Sequence, residues 1–256
     1  MSLKVFDDLV EEAIKKPFSG WDFRYLTDRY QEGSPSWNYA ESVRTKLKGK
    51  VRMLDMGTGG GEFLSGLQPL PEETFATECY EPNVEVAKAR LNPLGVKVVG
   101  VRSEAALPFP TGYFDLIINR HEEFYPRELH RVLRSGGCFV TEQVGGTNTD
   151  ELNQLLQKKV NRKAEHANSS WSLSRARTDL KEAGIHVRQE LEESFPSRFS
   201  DIGAVVYFLK NAPWEMPDFD IERYREPLFQ LHPQMDQAGG LWVTSERFFI
   251  EAINGV

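Results

Sequence analysis

The stretch Asp55-Met56-Gly57-Thr58-Gly59-Gly60-Gly61-Glu62 constrains this chain more than any other. Before it, Val51 to Met56 reads as a short buried strand. After it, Phe63, Leu64 and Leu67 recur at helical spacing. Between the two, Gly57, Gly59 and Gly61 fall at alternate positions. They mark a tight turn whose backbone takes positive φ and comes close to a ligand. The helix start behind the turn exposes unpaired N–H groups.

The acid inside the turn narrows the choice of ligand. A dinucleotide fingerprint runs G-x-G-x-x-G, with its acid roughly 20 residues further on. Here the order is Asp55-x-Gly57-x-Gly59-x-Gly61. A carboxylate in that place would repel a pyrophosphate, which speaks against a nicotinamide-dependent oxidoreductase. It suits a cationic ligand with an ammonium group. S-adenosylmethionine has that group, a sulfonium and no phosphate. The plainer alternative is a glycine-rich turn that only packs helix on strand.

This stretch resembles the first motif of the class I S-adenosylmethionine-dependent methyltransferases. A second run resembles the same family: Phe114-Asp115-Leu116, then Glu128-Leu129, then Arg131-Val132-Leu133-Arg134-Ser135-Gly136-Gly137. Together the two cover roughly residues 50–145. The implied fold is α/β, a seven-stranded, mostly parallel Rossmann-like sheet with helices on both faces. The resemblance also implies an antiparallel last strand.

The chain in order fits that expectation. Residues 3–16 read as a helix stopped by Pro17, and Tyr39 to Leu47 as another with Gly49 beyond its end. The expected strands are 51–56, 74–78, 95–101, 113–118, 138–141, 185–189, and a seventh made of 241–244 with 247–250. A helix is expected after the glycine turn to about Leu67. Others are expected from Pro82 to Leu91 and from Pro126 through Leu133 to Gly136. The later ones are 150–164, 172–183, Asp201 (as cap) to Leu209, and Ile221 to Leu231. One domain spans 1–256. Within it, 1–40 form an aromatic-rich N-terminal arm, 50–145 the cofactor-binding core, and 198–240 an insertion placed to cover the site.

Site residues follow from the same frame. Asp55, Gly57, Thr58, Gly59 and Gly61 form the cofactor loop. Glu78 lies 21 residues after Gly57 at the end of the second strand, where an acid takes both ribose hydroxyls; Glu81 competes for that role. In the resembling family the loop after the third strand holds the adenine. The position that carries an aspartate there is Ser103 here, with Glu104 beside it. Asn119, at the end of the fourth strand, is expected to contact the cofactor. His121 is the candidate general base, titrating near neutrality. Arg120, Glu122, Trp37 and Tyr39 are candidate acceptor contacts. Local packing would explain each of these residues without a function.

Composition bounds the partners. The net charge of −7 argues against a broadly basic nucleic-acid face, although Lys158, Lys159, Arg162 and Lys163 make one basic run. A small-molecule acceptor is therefore expected, with RNA as the alternative and a non-catalytic binding protein as a further one. No apolar run nears the ~20 residues of a membrane span. Two cysteines, Cys79 and Cys138, form no metal or disulfide framework and are expected as buried small hydrophobes in a reducing cytoplasm. No metal is expected, and the histidines show no ligand spacing.

Overall fold

In the computed structural model, residues 3–18, 22–159 and 171–255 are described. Trp21, His166 and Val256 lie outside them, as do Arg162 and Lys163 of the basic run. The chain opens with α1 (Leu3–Lys15), a 3₁₀ turn at Arg24–Leu26, β1 (Tyr30–Gln31) and α2 (Tyr39–Leu47). The core follows: β2 (Arg52–Met56), α3 (Glu62–Ser65), β3 (Glu73–Glu78), α4 (Glu81–Leu91), β4 (Lys97–Gly100), β5 (Phe114–Arg120), α5 (Pro126–Val132) and β6 (Leu133–Val144). The last third holds α6 (Asp150–Lys159), α7 (Leu173–Glu182), β7 (Ile185–Phe199), α8 (Ile202–Asn211), α9 (Ile221–Ala238) and β8 (Leu241–Asn254).

The eight strands form one sheet in the order β1-β7-β8-β6-β5-β2-β3-β4. The short β1 on the edge is the strand beyond the seven expected. Strands β4, β3, β2, β5 and β6 are mutually parallel, and β8 is antiparallel to both β6 and β7. Order reverses between β2 and β5, whose carboxyl ends pair at Met56 and Asn119. That is the topological switch point, where α/β sheets bind their ligands.

Two cores cover the sheet. One face packs Leu54, Met56, Ile117 and Phe139 against α5 and α7. The other packs Met53, Leu116, Ile118 and Val140 against Tyr39, Val43, Leu64 and Leu91. This alternation is the period of two that a sheet buried on both faces requires. Asp115 closes the amino end of the sheet. It accepts from Val51 N (3.0 Å) and Arg52 N (2.9 Å) and from Arg134 Nε (2.6 Å). That pairing explains why α5 stops at Val132, short of the glycines. Leu133 already pairs with Phe114, and a Cβ on Gly137 would meet Arg134 O at 2.8 Å.

Strands β7 and β8 are far longer than expected. Their pairing continues from Ser194–Glu246 to Phe199–Leu241, beyond the last β6 partner, Val144–Arg247. Six more residue pairs carry the ribbon about 20 Å past the carboxyl edge. On it sits a third core, in which Phe6, Val10 and Ala13 of α1 meet Leu152 and Leu156 of α6, Tyr207 of α8 and Tyr224, Leu228 and Met235 of α9. The N-terminal arm and the 198–240 segment are thus halves of one cap. Its polar seam is Glu215, which accepts from Asn148 Nδ2 (3.0 Å) and Thr149 Oγ1 (2.6 Å).

Asp201 joins the halves. Its Oδ1 caps α8 through Ala204 N (3.0 Å), and its carboxylate takes Arg29 Nε at 2.9 Å and Nη2 at 2.5 Å. Asp201→Ala should lower unfolding stability by about 2–4 kcal/mol, from a lost cap and a largely buried guanidinium left with the longer Glu12 contact at 3.5 Å. Urea unfolding checks this, and a loss under about 0.5 kcal/mol, the range of ordinary surface changes, would contradict it.

Candidate functional site

The switch point builds the site. Met56 ends β2, and the chain turns through Gly57 (φ 65°), Gly59 (φ 61°) and Gly61 (φ 80°) into α3. The three glycines differ in purpose. A Cβ on Gly57 would run into the Glu122 side chain, whereas one on Gly61 would meet Leu91 Cγ at 2.7 Å. Gly61 therefore serves the packing of α3 on α4. Gly59 donates its N–H to Glu78 Oε2 at 2.7 Å, so the loop is tied to the end of β3. Thr58 supports its neighbours too, with N bonded to Thr77 O (2.9 Å) and Oγ1 donating to Asp55 Oδ2 (2.8 Å).

Four carboxylates meet at this loop. Asp55, Glu78 and Glu104 are buried, and Glu122 leans over Gly57. Burial, reinforced by the charges of Glu104 and Glu78, pushes Asp55 up to about 7, against the restraint of the Thr58 hydroxyl. Glu104 is likewise raised to about 7, by burial first and by Glu78. Glu122 reaches about 7 through burial and the charges of Glu104, Glu78 and Glu123. Glu78 is raised by burial and restrained by its backbone donors, of which Tyr80 N gives 2.7 Å. Glu81 begins α4 and is exposed, so the acid held at the carboxyl edge is Glu78. In the loop after β4, Ser103 Oγ accepts from Ala105 N (3.1 Å), while Glu104 Oε2 is buried with no partner.

On the other side of the switch point, Asn119 is fully buried. Its Oδ1 accepts from Thr141 Oγ1 (3.0 Å) and Gln143 Nε2 (2.5 Å), and its Nδ2 has no partner. Tyr39 OH bonds Asn119 O (2.9 Å) and lies 3.2 Å from Val140 O, with its ring packed on Phe63 and Phe249. Tyr39 thus anchors the ends of β5 and β6 and turns no polar atom to an acceptor.

The next three residues fan out. Arg120 lies over the Phe63 ring and donates from Nε to Glu142 Oε1 at 3.1 Å. His121 holds a left-handed backbone (φ 60°), rare outside glycine, and its N–H bonds Glu142 O at 2.9 Å. Glu122 turns the opposite way, to the glycine loop, and so lies apart from Arg120 and His121, with which it was expected to group. Trp37 reaches across from the arm, its Nε1 donating to Glu142 Oε2 at 2.8 Å.

Surrounding protein and the guanidinium groups of Arg120 and Arg247 hold His121 well below the usual histidine value, although 35% of its side chain still meets solvent. The expected titration near neutrality is thereby corrected downward. Cys79 is also corrected. It follows the end of β3 and is exposed, and partial burial with the charges of Glu104, Glu122 and Glu78 pushes its thiol up to about 12. Cys138 is buried as expected. Among the described residues no His, Cys, Asp and Glu side chains group as metal ligands.

Sequence reading missed Glu142 and Gln143, the polar pair that closes β6. Their signal was an acid and an amide at the carboxyl end of an otherwise apolar strand. It also missed Arg247, which reaches Asn148 Oδ1 at 3.0 Å and pairs with Glu32.

Comparison with known proteins agrees with this architecture. Residues 54–141 match the family model described as a methyltransferase domain. Over that third of the chain the sequence is similar to a methyltransferase domain. Over 122 residues it is 30% identical to a protein-L-isoaspartate O-methyltransferase of Chlorobaculum parvum, covering 47% of this chain and 54% of that one. It thus spans about half the length of this curated relative. Among solved structures, a candidate methyltransferase of Bacillus halodurans superposes with a TM-score of 0.61 at 18% identity, over 86% of this chain and 99% of that one. The [4+2]-cyclase SpnF superposes at 0.54 with 15% identity, over 97% and 93%. The methyltransferase fold is therefore shared with proteins of different chemistry.

The raised carboxylates make stability pH-dependent with a definite sign. Asp55, Glu104 and Glu122 keep their protons to about pH 7 in the fold, whereas in the unfolded chain such groups lose them near pH ~4. Their stabilising contribution is whole below pH ~4 and is lost as pH rises through about 7. Glu104→Gln removes one such group. Relative to wild type it should gain stability between about pH 5 and pH 8, by up to about 3 kcal/mol. Urea unfolding of the ligand-free protein at both pH values checks this; a difference that does not vary with pH would contradict it.

Proposed function

We propose that the protein transfers a methyl group from S-adenosylmethionine to a small-molecule acceptor. The observation that carries this reading is the convergence of Asp55, Glu78, Glu104 and Glu122 on one glycine loop. A phosphate-bearing cofactor would add like charge to that cluster, whereas a cationic one relieves it. Two orphaned buried atoms, Glu104 Oε2 and Asn119 Nδ2, fit the same ligand as an acceptor and a donor.

Each residue then has a task. Asp55 and the Gly57–Gly59 backbone hold the amino-acid end. Glu78 takes the ribose hydroxyls, each of its oxygens keeping a lone pair beyond the bonds from Gly59 and Tyr80. Glu104 and the backbone near Ser103 meet the adenine, and Asn119 lies where the donor and acceptor halves join. Bound, the cofactor supplies an electrophilic methyl on a leaving group that needs no protonation. The remaining work of the chain is alignment, which is able to contribute about 7–11 kcal/mol, and exclusion of water by the cap. For an acceptor that must lose a proton, His121 is the base. Its low pKa keeps it neutral at physiological pH. Arg120 and Trp37 meet on Glu142 beside it, and the net charge of −7 favours a small acceptor over RNA.

Glu78→Ala should weaken binding of S-adenosylhomocysteine by about 1.5–3 kcal/mol, the range for hydrogen bonds to a charged group, and Glu81→Ala much less. Calorimetry showing the reverse ranking would move the ribose site to Glu81. Labelled cofactor incubated with fractionated cell extract identifies the acceptor class. Tritium should enter the small-metabolite fraction. Label in RNA would overturn the small-molecule reading, and tight binding with no transfer to any fraction would overturn turnover itself. With the acceptor in hand, His121→Ala should lower kcat by about 10²–10⁴-fold. The acid limb of the wild-type profile should lie below the ordinary histidine range. An unchanged kcat and profile would leave alignment as the whole mechanism.

A further inference from the structure

We propose that Glu142 is a positioning residue, holding His121 as the Nε2–H tautomer so that Nδ1 is left to take the acceptor's proton. This rests on the reading of His121 as the base. The two residues are fixed to one another twice. His121 N donates to Glu142 O at 2.9 Å, and His121 Nε2 stands 3.7 Å from Glu142 Oε1. The left-handed backbone at His121 turns its ring to that side, while Glu122 departs to the glycine loop.

The carboxylate itself is clamped. Oε1 accepts from Arg120 Nε at 3.1 Å and Oε2 from Trp37 Nε1 at 2.8 Å, and the side chain is only 7% exposed. Three segments therefore fix its place: the end of β5, the end of β6 and the arm before α2. An imidazole nitrogen facing a fixed carboxylate oxygen is favoured as a donor, because a lone pair there would face another. At 3.7 Å the contact is longer than a hydrogen bond, so the preference acts through charge and orientation.

The surrounding charges give Glu142 a second effect. Arg120 from β5 and Arg247 from β8 both oppose a positive ring, and Arg247 is itself paired with Glu32 of the arm. Among the described residues, Glu142 is the acid in ion-pair reach of His121. When the acceptor's proton moves to Nδ1, the bonding electron pair stays on the acceptor heteroatom and the ring becomes an imidazolium with N–H at both nitrogens. The new charge then lies beside the Glu142 carboxylate. A third group that orients the base and answers its charge is the arrangement by which nucleophile-activating histidines are held in other enzymes.

The tautomer is measurable without the acceptor. The full chain is labelled with ¹⁵N-histidine, and the ring of His121, one of five histidines, is assigned by the signal lost in His121→Gln. Long-range ¹H–¹⁵N spectra of the wild type above its titration should show the Nε2–H pattern. In Glu142→Gln the titration midpoint of His121 should fall by about 1 pH unit, as expected when an opposite charge at this distance is removed. Affinity for S-adenosylhomocysteine should stay within about twofold, since Glu142 lies on the acceptor side. A wild-type ring carrying its proton on Nδ1, or a midpoint unmoved in a folded Glu142→Gln, overturns the proposal. Should that variant not fold, the wild-type tautomer decides alone. An Nδ1–H ring in an enzyme that still needs His121 refutes the positioning role and leaves the base. An Nε2–H ring in an enzyme indifferent to His121→Ala refutes the base, and the positioning role with it.

Discussion

Like charge held out of water is the constraint on which the site depends. Four parallel strand ends and a glycine turn bring Asp55, Glu78, Glu104 and Glu122 together at the carboxyl edge, where their shared repulsion and burial favour protons over ionisation. Such a cluster costs stability at neutral pH. It is held in place by the loop's own donors, with Gly59 N and Tyr80 N on Glu78 and Thr58 Oγ1 on Asp55. A site built in this way is complementary to positive charge before any ligand arrives. It needs little reorganisation to receive one, which is what preorganisation means in a water-poor site.

The other half of the edge is organised by a second carboxylate principle, pairing in place of repulsion. Glu142 collects an indole and a guanidinium, and Arg247 collects Glu32 and Asn148. These bonds tie the residues before α2 to the strand ends. The cap core of α1, α6, α8 and α9 in turn rides on the overhanging β7–β8 ribbon. The N-terminal segment is consequently part of the fold's load path from cap to strand ends, and not an appendage. The left-handed turn at His121 sends consecutive side chains opposite ways, His121 toward Glu142 and Glu122 toward the glycine loop.

Local signals with a single physical cause were legible in the sequence. The glycine turn after Asp55, the Asp201 cap and the helix from Tyr39 to Leu47 all lie where residue chemistry puts them. The mostly parallel sheet with an antiparallel last strand followed from the family resemblance, and the strand order came from the folded chain. The overhang was not legible, because polar residues interrupt its strands. Ser245 and Ser197 look like solvent-facing breaks, yet they are buried and bonded to one another at 2.7 Å, with Tyr30 OH at 3.1 Å. Pro196 also argues against a strand, but tolerates one where the neighbouring edge is free. Glu142 was hidden for a different reason. A lone acid at a strand end gives no sign of which side chains from residues 37 and 120 will close on it, since those contacts are made only by the folded chain.

Proton release on cofactor binding tests the central claim most directly. If the buried carboxylates at the glycine loop accept a cation, they must ionise as it enters, because an adjacent positive charge lowers a carboxylate pKa. Calorimetric titration of S-adenosylmethionine at pH 7 in two buffers of different ionisation enthalpy counts the protons exchanged. The expected result is net release to the buffer, larger for S-adenosylmethionine than for S-adenosylhomocysteine, which lacks the sulfonium charge. Binding with no proton exchange, or with uptake, would contradict a site built to receive positive charge.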